Sequence, residues 1–300
     1  MANVREIRRR IKSVKNISQV TRAMQMVAAS KMRRAQEQVL ATRPYSAKAW
    51  EVLTHLAAQH GGNEGEHPLL DRRDAIATTG IVLITSDKGL CGAYNGNIIR
   101  VVLNFMQDLV HPDRIIAVGR RGRDFLIRHG VHVVAEFSDL PPRPSVLDCT
   151  PIARAAIDEF LIGECDEVYL AYTDFINTLT QQPTVRRLLP ITPGQVESSV
   201  MREYMSDAPV HTTGEYIYEP DPNTILDSVL PRFTELQIYQ AILEALASEH
   251  SALMVAMRNA TENANELIDD LTLTFYRARQ EAITKEMLDI AGGAEALVRG

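Results

Sequence analysis

Two stretches at opposite ends of this chain each call for a helix longer than a compact domain of its size could enclose. From Val4 to about His60 there is no glycine, and Pro44 is the one proline. Apolar side chains recur at Val4, Ile7, Ile11, Val14, Ile17, Val20, Met24 and Val27, then at Met32, Ala35 and Val39. Steps of three and four place them on one stripe of one helix, which at 1.5 Å per residue reaches roughly 80 Å. At the other end Leu236, Tyr239, Leu243, Leu246, His250, Leu253, Met257, Ala260, Ala264, Leu267, Leu271, Thr274 and Ala278 keep the same alternation unbroken. A sustained heptad of this kind is the pattern of a coiled coil, and small residues at Ala260 and Ala264 let a partner helix approach. Asp221 can cap this second helix and Pro222 suits its first position. Pro231 predicts a kink or a locally freed carbonyl near the start, and Gly292-Gly293 an end near Ala291, for a length on the order of 100 Å.

Charge supports pairing the two ends. The net charge of -6 conceals ten basic side chains against Glu6 alone in residues 1–34, and fifteen acids against five bases in residues 215–295. Segments of opposite sign suit each other or oppositely charged partners. A basic helix could also lie on anionic membrane or on nucleic acid. The first forty residues lack the aromatic anchors and stacking platforms those surfaces use, so a protein partner suits it better, and no nucleic-acid role is expected.

Between the helices the pattern changes. Ile81–Thr85, Arg114–Val118, Val131–Phe137, Glu167–Tyr172 and Val185–Ile191 read as strands. Asn95–Val110, Arg121–His129 and Thr150–Ile162 read as helices, with Pro141, Pro142 and Pro144 marking a loop. Repeated strand–helix units imply a mostly parallel sheet covered by helices. The fold class is therefore α/β: a long antiparallel coiled coil of N- and C-terminal helices with an inserted Rossmann-like α/β domain. The expected segments are 1–60, 75–205 and 215–300.

Motifs for chemistry are weak. Ser86-Asp87-Lys88-Gly89-Leu90-Cys91-Gly92 follows a strand and precedes a helix, where backbone amides can cradle phosphate. Its spacing matches neither dinucleotide nor P-loop fingerprints, so a tight strand-to-helix connection is the simpler reading. Gly119-Arg120-Arg121-Gly122 is a fainter version of it. Cys91 has no histidine near it in sequence, and the three cysteines form no CxxC pair. His250 lies on the apolar stripe without a second ligand at helical spacing, which suits an interface histidine better than a metal ligand. No run of eighteen apolar residues suggests a membrane span, and no apolar signal core opens the chain. No catalytic, cofactor or metal site is expected. The rival reading is a nucleotide-binding α/β enzyme dimerised through its coiled coil.

Four blocks carry a family resemblance. Ile7-Arg8 through Ile17 with Thr21-Arg22-Ala23-Met24-Gln25-Met26-Val27-Ala28-Ala29-Ser30-Lys31-Met32 is similar to the N-terminal signature of the gamma subunits of F-type rotary ATP synthases. Thr85–Gly92 resembles the family's central loop, Tyr218-Glu219-Pro220-Asp221-Pro222 its entry to the last helix, and Ala278–Glu286 its C-terminal signature. The resemblance implies the rotor of a proton-translocating synthase, on the cytoplasmic face of a bacterial plasma membrane. Its expected partners are the alpha and beta subunits, the epsilon subunit and the membrane c-ring. It also implies contacts of Arg279 and Gln280 with a beta-subunit loop, Thr284 and Glu286 nearby, and Arg22 and Met24 against the lever region of beta. Tyr216, Tyr218 and Glu219 would lie near the c-ring. Leu253 departs from the arginine many bacterial members carry there.

Overall fold

The computed structural model describes residues 4–59, 67–73, 75–109, 113–192 and 222–299. Two helices frame it, α1 over Val4–Gln59 and α5 over Pro222–Arg299. Between them come β1 (Thr79–Ile84), α2 (Tyr94–Asp108), β2 (Asp113–Val118), α3 (Arg120–Arg128), β3 (Val133–Phe137), α4 (Val146–Ile162), β4 (Glu167–Phe175) and β5 (Gln181–Leu189). The chain divides into two compact units, Ser30–Ala252 and the pair Met1–Ala29 with Leu253–Gly300. Both long helices run through both units.

The larger unit is a five-stranded sheet in the order β3-β2-β1-β4-β5. Its first four strands are parallel and β5 pairs antiparallel with β4. β1 is buried along its whole length, which suits the apolar run of a central parallel strand. Its side chains alternate between two cores. Ile81 and Leu83 meet Ile98 and Val102 of α2 and Leu126 of α3, whereas Val82 and Ile84 meet Ile152 and Phe160 of α4 and Leu226, Leu230, Phe233 and Ile242 of α5. The first thirty residues of α5 are thus a covering helix of the sheet, which explains why they are apolar on more sides than a coiled-coil stripe requires.

Several boundaries differ from the sequence reading. α4 starts at Val146, not Thr150, because Ser145 and Asp148 form a capping box in which the Asp148 carboxylate accepts the Ser145 amide at 2.7 Å. β5 starts at Gln181, since a tight hairpin built on the Asn177 side chain, which accepts the amides of Leu179 and Thr180, joins it to β4. α5 continues through Gly292-Gly293 to Arg299. A glycine weakens a helix interior by only about 1 kcal/mol and does not by itself stop it. The proposed cap Asp221 lies outside the described residues.

In the smaller unit α1 and α5 run antiparallel. Thr21 Oγ1 lies 2.7 Å from Thr261 Oγ1, Ser18 Oγ donates to Asn265 Oδ1 at 2.9 Å, and the Arg8 guanidinium sits 5.8 Å from the centre of the Phe275 ring. The inward positions of α1 are Val4, Ile7, Ile11, Val14, Ser18, Thr21, Gln25 and Ala28, all buried or half-buried, an uninterrupted 3-4 alternation. This corrects the expected stripe: Ile17, Val20 and Val27 are 52%, 58% and 56% exposed. On α5 the seam passes through Met257, Thr261, Ala264, Ile268 and Phe275, while Leu267 and Thr274 face out. Hydrophobicity alone favoured the neighbouring positions; small polar residues with partners on the other helix hold the seam.

Ala264 is buried in this seam, at 7% exposure. Ala264→Phe should lower the stability of the chain by roughly 1–3 kcal/mol, the usual effect of overpacking. An unchanged thermal melt would place Ala264 outside the seam.

Candidate functional site

The glycine-containing turn after β1 is the first place to look for chemistry. Leu90 and Gly92 take positive φ values of 69° and 59°, which lets the chain reverse tightly into α2. Asn95, in the first turn of α2, accepts the Ser86 amide at 3.0 Å and donates to Ser86 Oγ at 2.7 Å and to Cys91 Sγ at 3.1 Å. The Ser86 hydroxyl donates to the Lys88 carbonyl at 2.5 Å. The Asp87 carboxylate accepts the amides of Arg120 and Asp139 at 3.1 and 3.0 Å, tying the turn to the starts of α3 and the loop after β3. The Ser86, Asp87 and Asn95 side chains are therefore engaged in holding the turn in place, while Lys88 is exposed. The Cys91 thiol is buried, and burial pushes its pKa up, the reverse of what an activated nucleophile needs. Gly119 and Gly122, the second glycine pair, sit against Thr85, whose hydroxyl accepts the Gly122 amide at 2.9 Å. Their role is close packing of α3 onto β1.

Ionisable groups gather where α5 passes this turn. Burial, and after it the Asp87 carboxylate, raises Glu249 to about 7, against the pull of Lys31 and Lys88. Burial, assisted by Lys31, lowers His250 to about 4, so its imidazole is neutral at pH 7. Its Nδ1 is buried without a hydrogen-bond partner among the described residues.

The surface with the plainest demand for a partner is the far end of α5. Arg279, Gln280, Thr284 and Glu286 are all exposed. Ile283, Met287 and Ile290 are 45%, 59% and 68% exposed. At 100° per residue, Arg279, Gln280, Ile283, Glu286, Met287 and Ile290 fall within about a third of the helix circumference, with Thr284 at its border. This face is an apolar stripe edged by polar groups. Sequence reasoning named the polar members and missed the apolar ones, although the 283-287-290 spacing continues a helical stripe beyond the last residue paired with α1. On α1, Arg22 is exposed and Met24 half-buried, so these two do not share one environment. Tyr216, Tyr218 and Glu219 lie outside the described residues. Leu253 is half-buried at the start of the smaller unit, where an aliphatic side chain is well placed. No helix among the described residues is long and apolar enough to cross a membrane.

Comparison with known proteins agrees with this arrangement. The ATP synthase family model matches residues 3–297. An ATP synthase gamma chain of Dehalococcoides mccartyi (strain ATCC BAA-2266 / KCTC 15142 / 195) is 50% identical over 297 residues, covering 99% of this chain and 100% of that one. One of Herpetosiphon aurantiacus is 46% identical over 306 residues, covering 99% of each. Among solved structures, a chain of the Euglena gracilis mitochondrial ATP synthase (OSCP/F1/c-ring) superposes with a TM-score of 0.65 at 18% identity, covering 98% of this chain and 94% of that one. A chain from the central stalk and c-ring of the Tetrahymena thermophila mitochondrial ATP synthase gives 0.62 at 24% identity, covering 80% and 99%. The fold class is that of ATP synthase central stalks. The sequence relatives narrow it further: the chain belongs to the ATP synthase gamma-chain family.

Proposed function

We propose that this gamma-family chain is the non-catalytic rotor of an F-type ATP synthase, peripheral to the cytoplasmic face of a bacterial plasma membrane. Its partners are the alpha and beta subunits, the epsilon subunit and the c-ring, as the central-stalk relatives suggest. The observation that carries this reading is the bare face at the end of α5, where Ile283, Met287 and Ile290 stand in solvent beside Arg279 and Gln280. An exposed apolar stripe rimmed by polar groups is the mark of a surface made to meet another protein. A two-helix coil whose faces differ in chemistry offers each member of a surrounding ring different contacts at each angle. Differential contact of that kind shifts each member's nucleotide affinity. Ion pairs on such a surface contribute about 0–1 kcal/mol each, small enough to be made and broken every turn. Arg279, Gln280, Thr284, Glu286, Arg22 and Met24 are assigned to the ring by resemblance. The enzyme reading has the engaged side chains of the Ser86–Gly92 turn against it.

The test uses two variants, Ile283→Ser/Met287→Ser/Ile290→Ser and Arg279→Ala/Gln280→Ala, in the full chain and in the reconstituted complex. Because these side chains are exposed, melting of the free chain should move by no more than about 0.5 kcal/mol. Coupled ATP synthesis or assembly should fall in both, and further in the triple variant. Full coupled activity in the triple variant would remove the end of α5 from the working surface.

A further inference from the structure

Residues 14–28 of α1 carry two helical stripes, one residue apart, that compete for the same partner. The inward stripe runs Val14, Ser18, Thr21, Gln25, Ala28, and the outward one runs Ile17, Val20, Met24, Val27. Each has steps of three and four, so each could line a coiled-coil seam. One residue corresponds to a rotation of 100°. By apolar content the outward stripe should win: three of its four side chains are branched aliphatics, whereas the inward stripe has three polar members. Three of the four outward side chains nevertheless stand in solvent, Ile17, Val20 and Val27 being more than half exposed, while Met24 is half-buried. Something other than burial selects the rotation.

The hydrogen bonds across the seam supply the selection. Thr21 and Thr261 hydroxyls meet at 2.7 Å, and Thr261 Oγ1 also donates to the Met257 carbonyl at 2.8 Å. That leaves the Thr21 hydroxyl to donate either to Thr261 or to the Ser18 carbonyl, 3.1 Å away. Ser18 Oγ donates to Asn265 at 2.9 Å. These pairs join residues some 240 positions apart and exist in one rotation only. Turning α1 by 100° would separate both pairs. Following Val14 with Ile17 in place of Ser18 would also shorten a four-residue step to three, a local overwinding of the coil. α5 carries a matching alternative, since Ala260 and Leu267 lie one residue before the inward Thr261 and Ile268.

We propose that Ser18, Thr21, Thr261 and Asn265 form a register lock. It holds the middle of the coil in its regular heptad, against an overwound packing in which Ile17, Val20, Met24 and Val27 turn inward. Polar pairs in a seam fix register at some expense of stability, and here they also keep an apolar stripe on the surface.

The lock can be tested by thiol labelling of the full chain. The native cysteines Cys91, Cys149 and Cys165 are buried and set the baseline. Val27→Cys reports the outward face and Gln25→Cys the inward one. In the parent, Val27→Cys should react with maleimide at least tenfold faster than Gln25→Cys. Adding Ser18→Ala and Thr21→Ala should reverse the order, slowing Val27→Cys at least fivefold and speeding Gln25→Cys. Replacing Ile17 and Val20 by Ser in that background should restore the parental order. Unchanged rates after removal of the hydroxyls would overturn the proposal. So would a rise at both positions, which reports fraying and not rotation.

Discussion

Glu244→Gln is expected to stabilise this chain at pH 8 by on the order of 3 kcal/mol, taking about 1.4 kcal/mol for each unit of pKa shift. Glu244 lies on the part of α5 that covers the sheet and is 2% exposed, as is Asp174 of β4 at 3%. Arg186 of β5 pairs with Asp174 at 3.2 Å and lies 5.4 Å from the centre of the Tyr172 ring. The guanidinium is thus paired with Asp174 and acts on Glu244 only at longer range. Glu244 Oε1 accepts a hydrogen bond from Gln240 at 3.0 Å, but Oε2 has no hydrogen-bond partner among the described residues. Burial, then Asp174, raises Glu244 to about 7, with Gln240, Arg186 and Tyr172 pulling the other way. In the unfolded chain the same carboxyl loses its proton near 4.5. Between those values the folded state holds a proton that the unfolded state has released. Its contribution is therefore fully present below 4.5 and is lost as pH rises through 7. The amide that the substitution introduces keeps the bond to Gln240 and carries no charge. Melting should rise on the order of 5–10 °C at pH 8 and hardly change at pH 4. An equal shift at both pH values, or a fall at pH 8, would show that Glu244 is not the group being neutralised.

Gly119→Ala is expected to destabilise by about 3 kcal/mol or to prevent folding. Gly119 has φ of 96°, and an added Cβ would overlap the Thr85 carbonyl oxygen with the carbonyl carbon 2.7 Å away. A positive φ costs a residue with a side chain about 1–3 kcal/mol, and the blocking atoms are backbone of the central strand's end, which cannot swing aside. Its amide also donates to the Phe137 carbonyl at 2.8 Å, and the Thr85 amide to the Val118 carbonyl at 2.8 Å, so any retreat breaks pairing among three strands. Gly130→Ala is the control. Gly130 also has positive φ, 73°, but an added Cβ there meets nothing within 4 Å, and the loss should stay near 1 kcal/mol. Equal urea midpoints for the two variants would mean that the Thr85 contact is not what requires glycine at 119.

The long helices, the α/β order between them and the seam at its apolar ends were all legible in the sequence. Periodicity and turn residues act locally, and both are visible in a single chain. The seam's middle was misread because its logic is not local. Ser18 and Thr21 look like surface residues until Asn265 and Thr261 are set opposite them. The antiparallel placing of β5 follows from a hairpin turn built on one asparagine side chain, a feature composition does not announce. The raised pKa of Glu244 beside Asp174 could not be read either, since it needs three elements brought together. At the end of α5 the polar residues were recognised by resemblance, whereas Ile283, Met287 and Ile290 showed their meaning only once their exposure was seen.

α5 is one unbroken helix from Pro222 to Arg299, and this restricts how chains of this build can change length. Met257 and Phe275 both face α1 within the smaller unit, and each fixes the phase of the helix there. Deleting a single residue between them would draw everything downstream back by 1.5 Å and swing it through 100°. The inward seam would then face solvent and the 283-287-290 face would point elsewhere. Seven residues make nearly two full turns and restore the phase to within about 20°. Loops such as the β4–β5 hairpin can gain or lose single residues. This helix can be edited only in whole heptads, so its length is as much a part of the design as its side chains.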